Sequence, residues 1–133
     1  MIKWDDKYSV GLSCIDEEHK KFIDIINKVI HAKQRIDNSK ELTSILNEMN
    51  SYVLTHFANE EANMIKSNYP DYENHKKEHQ GFYMQLMALH DSVSKSGPQL
   101  ACEILEHLKN WLVNHIEGTD RKYIKCFKEH GLK

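Results

Sequence analysis

The chain has 133 residues, with 18 basic and 20 acidic side chains intermixed along its length and a net charge of −2. That balance excludes the basic field that nucleic acid or an anionic membrane surface requires, so neither partner is expected. The length suits one domain with a core of its own, and three dispersed cysteines, Cys14, Cys102 and Cys126, offer no disulfide framework or thiolate zinc site. They are expected to be reduced thiols.

Residues 1–7 carry no apolar run of the kind that opens a secretory signal, and the apolar stretch 22–30 is broken by Asp24, Asn27 and Lys28. A cytoplasmic protein without membrane insertion is expected. Residues 1–15, with Trp4, Tyr8, Val10, Gly11, Leu12 and Ile15, lack a helical period and read as an irregular arm packed on the domain.

Asp16 reads as the N-cap of a first helix, whose stripe of His19, Phe22, Ile23, Ile26, Val29 and Ile30 runs to about Ile36. Residues 37–40 form a polar break. A second helix follows to about Lys66, with Leu42, Ile45, Leu46, Met49, Val53, His56, Phe57, Glu60 and Met64 at steps of three and four. His56 and Glu60, four apart, share one face of it, and that face points to the core.

The stretch 67–70 breaks the pattern, with Pro70 suited to the first turn of a third helix, which carries Tyr72, His75, His79, Phe82, Leu86, Leu89 and Val93 inward. Residues 96–98 end it, and Pro98 opens a fourth helix with Ala101, Ile104, Leu108, Trp111, Leu112 and His115 on its inner face. Gly118 interrupts this pattern, and a short final helix fits 121–129. Four helices on short connections predict an all-α fold, an up-down-up-down antiparallel four-helix bundle at about 16–117, with an N-terminal arm (1–15) and a C-terminal segment (118–133). One domain spans 1–133.

Nine histidines stand in the chain, and five of them, His19, His56, His75, His79 and His115, fall on buried stripes of all four helices. Buried imidazoles and carboxylates are costly unless paired or bound to metal. Imidazole suits iron, zinc, copper or nickel, a carboxylate can bridge two ions, and the set exceeds the needs of one four-coordinate zinc. Asp120 adds a further carboxylate. At five residues past His115 it would point about 140° away on a straight helix, so the helix is expected to be irregular around Gly118. His31, His90, His107 and His130 fall off the stripes and are expected at the surface. Glu61, about 100° round from Glu60, reads as a solvated charge. His75-x-x-Glu78-His79 also fits the H-x-x-E-H zinc-peptidase signature, but the bundle already supplies partners for both histidines, and Glu78 reads as exposed or as an outer hydrogen-bond acceptor. For Tyr123, core packing and a lining role stay open.

His19, His56-x-x-x-Glu60, His75-x-x-x-His79 and His115-x-x-x-x-Asp120 together resemble the di-iron ligand pattern of the hemerythrin family, in particular its single-domain bacterial members. Trp4, Tyr8 to Gly11, Ile15-Asp16, Tyr69-Pro70-x-Tyr72, Trp111-Leu112 and Tyr123 extend the likeness over nearly the whole chain. The four-helix bundle of this family is itself a standard example of that architecture. The departures are Glu18 ahead of His19, where a neutral residue such as Gln is expected, and Cys14 near the arm; neither is expected to touch a ligand.

The resemblance implies two iron ions, Fe2+ or Fe3+, bridged by Glu60, Asp120 and an oxo or hydroxo group. His75, His79 and His115 would hold one iron, His19 and His56 the other, leaving one position open on the second. O2 is the ligand expected there, walled by Phe22, Phe57 and Leu112. The implied function is reversible O2 binding for storage, transport or delivery by a monomer, not an enzyme. A di-iron oxidase or peroxidase is the alternative, as is an O2 or iron sensor acting through a separate signalling or oxygen-consuming partner.

Overall fold

The computed structural model describes residues 2–34, 39–93 and 99–132. A 3-10 turn, Asp6–Tyr8, lies in the arm and precedes α1 (Ser13–Lys33), α2 (Ser39–Lys66), α3 (Tyr72–Asp91) and α4 (Gln99–Trp111). The chain then passes through a π-helical segment, Leu112–Ile116, and a 3-10 segment, Thr119–Tyr123, into a short α5 (Ile124–Glu129). No strand occurs among the described residues. None of their helices is long and apolar enough to cross a membrane.

The stripes read from the sequence are the packed faces. Ile23, Ile26 and Val29 of α1 meet Leu46, Met49 and Val53 of α2, Phe82 and Leu86 of α3, and Leu100, Ile104 and Leu108 of α4 in one apolar core. Helix α1 packs on α2 and α4, and α3 closes the ring against the same two. A second cluster, with Val10, Leu12, Ile15, Met64, Tyr69, Tyr123 and Phe127, caps the other end. The inward histidines fall where these two clusters meet. On α1, Ile15 belongs to the cap and Phe22 to the main core, with His19 between; on α2, Phe57 and Met64 flank Glu60 in the same way.

This layer lies near the starts of α1 and α3 and the ends of α2 and α4. Side chains from all four can meet only if the helices alternate in direction, which makes the bundle antiparallel.

Two boundaries differ from the sequence reading. Helix α1 begins at Ser13 rather than after Asp16, and Leu12 ahead of it makes no side-chain cap. The Asp16 carboxylate instead accepts the Val10 N–H at 2.8 Å and the Ser9 hydroxyl at 2.5 Å, so it latches the arm to the helix rather than capping it. Pro70 sits in the turn before α3, whose N-cap is Asp71; Asn68 takes a positive φ of 57° there, and the Tyr69 N–H bonds back to the Met64 carbonyl at 2.9 Å. The end of the first stripe at Ile36, the break at Asp37 and Asn38, and Ser96, Gly97 and Pro98 lie outside the described residues. The three cysteines are free, Cys14 exposed and the others half-buried.

Candidate metal centre

His19, His56, Glu60, His75, His79, His115 and Asp120 are each at most 2% exposed. Their donor atoms form two overlapping groups, each within 4.8 Å: Glu60, His75, His79, His115 and Asp120 in one, His19, His56, Glu60 and Asp120 in the other. Both carboxylates belong to both groups. Asp120 Oδ1 lies 2.9 Å from His75 Nε2 and from His115 Nε2, and Oδ2 lies 3.1 Å from His19 Nε2. Glu60 Oε1 is 3.1 Å from His79 Nε2 and 3.4 Å from His56 Nε2.

These approaches are not hydrogen bonds. Nε2 of His19, His75, His79 and His115, Oε1 of Glu60 and both Asp120 oxygens are buried without a hydrogen-bond partner. Buried polar atoms are normally satisfied, and so many unsatisfied donor atoms converging on two points fit cations rather than a hydrogen-bonded network. Five imidazoles and two shared carboxylates, with no thiolate among them, suit a pair of borderline metals such as iron.

Asp120 reaches the site because the fourth helix changes form. The Glu117 N–H bonds to the Leu112 carbonyl at 3.0 Å, the five-residue step of a π turn. At Gly118 a Cβ would stand 2.7 Å from the Asn114 carbonyl oxygen, closer than a side chain tolerates. Glycine therefore permits the tight exit from the π turn, and the following 3-10 segment swings Asp120 inward. The irregularity expected from the five-residue spacing is present.

Carboxylates also ring the site from outside. Glu78 Oε1 accepts from His115 Nδ1 at 2.9 Å and from the Thr119 hydroxyl at 2.9 Å. Glu61 Oε2 accepts from His79 Nδ1 at 2.9 Å, and Glu18 Oε2 from His56 Nδ1 at 3.1 Å. Each such bond puts the ring proton on Nδ1 and turns the Nε2 lone pair inward, the tautomer a metal needs. Two expectations are corrected here. Glu61 is an outer partner of His79 rather than a solvated charge, and Glu18 does touch one of the singled-out histidines. A helical wheel places both off the buried face but cannot show that their side chains bend round to a ring on a neighbouring helix. Glu78 is the outer acceptor the sequence allowed, and that geometry leaves nothing of the peptidase reading. Tyr123 donates its hydroxyl to Glu60 Oε2 at 2.6 Å, so its role is polar as well as packing.

Burial pushes the Glu60 carboxyl up and the Asp120 charge adds to that, yet His56 and His79 outweigh both and hold it at about 2. Asp120, despite its burial, is kept well below the usual carboxylate range by His115, His19 and His75. Burial works against the charged form of His115, but Asp120, Glu78 and Glu60 lift it to about 9. His19 is raised in the same manner, against burial, chiefly by Asp120. The bond from His115 lowers Glu78.

Phe22, Phe57 and Leu112 are all buried in the main apolar core. Phe57 lies flat on His79, with centroids 3.9 Å apart and planes 2° off parallel. Trp111 stacks likewise on His115 at 3.7 Å, and Tyr52 on His56 at 5.3 Å. Tyr52 was missed in the sequence, although its place four residues before His56 on one helix face was a usable signal. Burial first, then the charges of Glu60, Glu18 and Asp120, raise its phenol well above the ordinary value. Of the remaining histidines, His31 and His130 are exposed. His107 and His90 are half-buried rather than at the surface: His107 stacks on Phe82 at 4.6 Å and has its pKa lowered by burial, and His90 Nε2 meets Asn47 Oδ1 at 2.9 Å.

The family model described as the hemerythrin HHE cation binding domain matches residues 10–127. A bacteriohemerythrin of Stenotrophomonas maltophilia is 29% identical over 130 residues, covering 98% of this chain and 84% of the relative. A hemerythrin-like protein of Naegleria gruberi is 32% identical over 122 residues, covering 92% of this chain and 90% of that protein. The crystal structure of a wild-type hemerythrin superposes with a TM-score of 0.82 at 26% identity, covering 96% of this chain and 98% of its own. With a family model matched over most of its length and a fold shared throughout, the chain belongs to the hemerythrin family.

Proposed function

We propose that this protein binds O2 reversibly at a non-heme di-iron centre, for oxygen storage, transport or delivery, and does not turn over a substrate. One observation carries the reading: two buried donor groups share Glu60 and Asp120, and nearly all of their inward atoms lack any hydrogen-bond partner. In it His75, His79 and His115 would hold one iron and His19 and His56 the other, with the Glu60 and Asp120 carboxylates available to both. Two iron(II) ions would supply the pair of electrons that reversible O2 binding draws on.

The chain's own residues do the rest. Glu18, Glu61 and Glu78 orient three imidazoles, while Tyr123 steadies Glu60 by occupying the carboxylate oxygen turned away from His79. Phe22, Phe57 and Leu112, all buried, limit the entry of water to the centre, which protects a reversible reaction from proton-driven loss of the ligand. The chain acts in this reading as a cytoplasmic monomer, one domain over 1–133.

The test is anaerobic reconstitution with Fe(II), counting iron per chain and following visible absorption as O2 is admitted and swept away. Two irons and a charge-transfer band that comes and goes over repeated cycles are expected. A single irreversible oxidation would point to an oxidase, peroxidase or sensor, and failure to take up two irons would overturn the ligand assignment.

A further inference from the structure

Tyr52 holds a polar group that none of the described residues uses. Its ring stacks on His56 with planes 12° apart and lies 6.1 Å from the ring of Phe22. Its hydroxyl oxygen is sealed from solvent yet has no hydrogen-bond partner. Its stacking on His56 and its approach to Phe22 of α1 place the phenol between α1 and α2, beside the two-histidine group.

Burying a hydroxyl without a partner destabilises a fold, so such a group calls for an explanation. Phenylalanine would fill the same space at lower cost. Glu18 already accepts from His56 and Glu60 from Tyr123 through Oε2, while Glu60 Oε1 is turned to His56 and His79 among the inward donor atoms. The Nδ1 atoms of His19 and His75 are also without partners. They belong to rings whose Nε2 faces Asp120, so they turn away from the shared carboxylates. The Tyr52 O–H is thus the unspent donor beside the group that has fewer protein ligands.

We propose that Tyr52 donates a hydrogen bond to the small ligand taken up beside His56, a diatomic molecule or a linear anion with a lone pair to accept it. This rests on the reading of an open ligand position at the two-histidine iron. Through that bond the phenol slows escape of the ligand, and it favours ligands that can accept over apolar ones of equal size.

The test substitutes Tyr52→Phe, which removes one oxygen and keeps the ring on His56, and uses azide as the probe on the oxidised, iron-loaded protein. Azide binding should weaken roughly tenfold or more, the range for a hydrogen bond to a charged acceptor, with two irons per chain retained. A second measurement separates this from a structural role. The melting temperature of the chelator-treated chain should stay level or rise, because an unsatisfied buried oxygen has gone. Unchanged azide affinity in an iron-loaded Y52F protein would overturn the proposal alone. A fall in both melting temperature and iron content would assign the hydroxyl a structural bond and overturn it as well. Wild-type protein that fails to load two irons would bring down the functional reading, and this proposal with it.

Discussion

The two halves of the candidate centre share Glu60 and Asp120 but are supported very differently. In the three-histidine half every imidazole has an aromatic ring laid near-parallel to it or tilted against it: Tyr123 by His75 at 5.7 Å, Phe57 on His79 at 3.9 Å and Trp111 on His115 at 3.7 Å. Glu61 and Glu78 hold two of those rings from behind. In the other half Tyr52 stacks on His56 at 5.3 Å, but His19 meets only the edge of His56 at 5.0 Å, and a single outer carboxylate among the described residues, Glu18, serves His56 alone. Donor chemistry is therefore the same on both sides, while donor number and the contacts behind the donors are not. Such asymmetry suits a centre in which one metal is fixed and the other exchanges a ligand.

The largest effect should come from removing what the halves share. Asp120→Ala deletes the carboxylate that lies within 3.1 Å of His19, His75 and His115, and iron per chain after anaerobic reconstitution should fall from two to below one. Two irons retained would mean that the halves are independent. A smaller loss is expected from His56→Ala, which strips only the poorer half. One iron should remain, bound with near wild-type affinity in competition with a chelator, and O2-dependent absorption should vanish.

Proton competition divides the site in a different way. In the chain without metal, the ion pair to His115, whose pKa rises from 6.5 to about 9, contributes stability that is full below pH 6.5 and is lost as pH rises through about 9. Glu60, lowered from 4.5 to about 2, contributes stability that is present above pH 4.5 and lost as pH falls through about 2. The chelator-treated protein should accordingly melt highest between about pH 4.5 and 6.5. Iron needs the His115 nitrogen unprotonated, so iron affinity should climb from pH 6.5 to 9 while metal-free stability declines. Thermal melts of the two forms across that interval check the opposed slopes. Parallel slopes would show that His115 Nε2 does not face the metal.

The fold was legible because each bundle helix repeats apolar residues at three and four, and because His19, His56, Glu60, His75, His79 and His115 occupy positions in those same stripes. Even the irregular end of the fourth helix was legible from the five-residue gap to Asp120 and from Gly118, although its π form was not. What escaped the sequence depends on neighbouring helices. Glu18 reaches from α1 to His56 on α2, and Glu61 from α2 to His79 on α3, across surfaces that a single-helix projection cannot pair. Asp16 was misread for a related reason, since a carboxylate near a helix start resembles a cap until the arm's Ser9 and Val10 are seen to claim it. Tyr52 went unnoticed although it stands four residues before His56, because a phenol on a helix face looks like ordinary core until its oxygen is seen to lack a partner.

The outer carboxylates allow the finest comparison of the halves. Loss of such a partner typically costs about tenfold to a hundredfold in metal affinity, because the ligand ring loses both its orientation and part of its basicity. Glutamine keeps an oxygen that can accept the Nδ1 proton but removes the charge, so Glu78→Gln and Glu18→Gln should fall near the lower end, about tenfold. They should differ in which iron they release. Glu78 anchors both His115 and Thr119, the residue just before Asp120, so its substitution should loosen the three-histidine iron and the bridge together. Glu18 holds His56, with only a long 3.5 Å contact from Asn59 beside it, and its substitution should hasten loss of one iron and leave the other in place. Iron removal by a chelator, followed in time, resolves these as two phases. Glu18→Gln should speed only the first and Glu78→Gln both; identical two-phase curves for the two variants would mean that the centre responds as one unit, and that the asymmetry of its surroundings has no energetic counterpart.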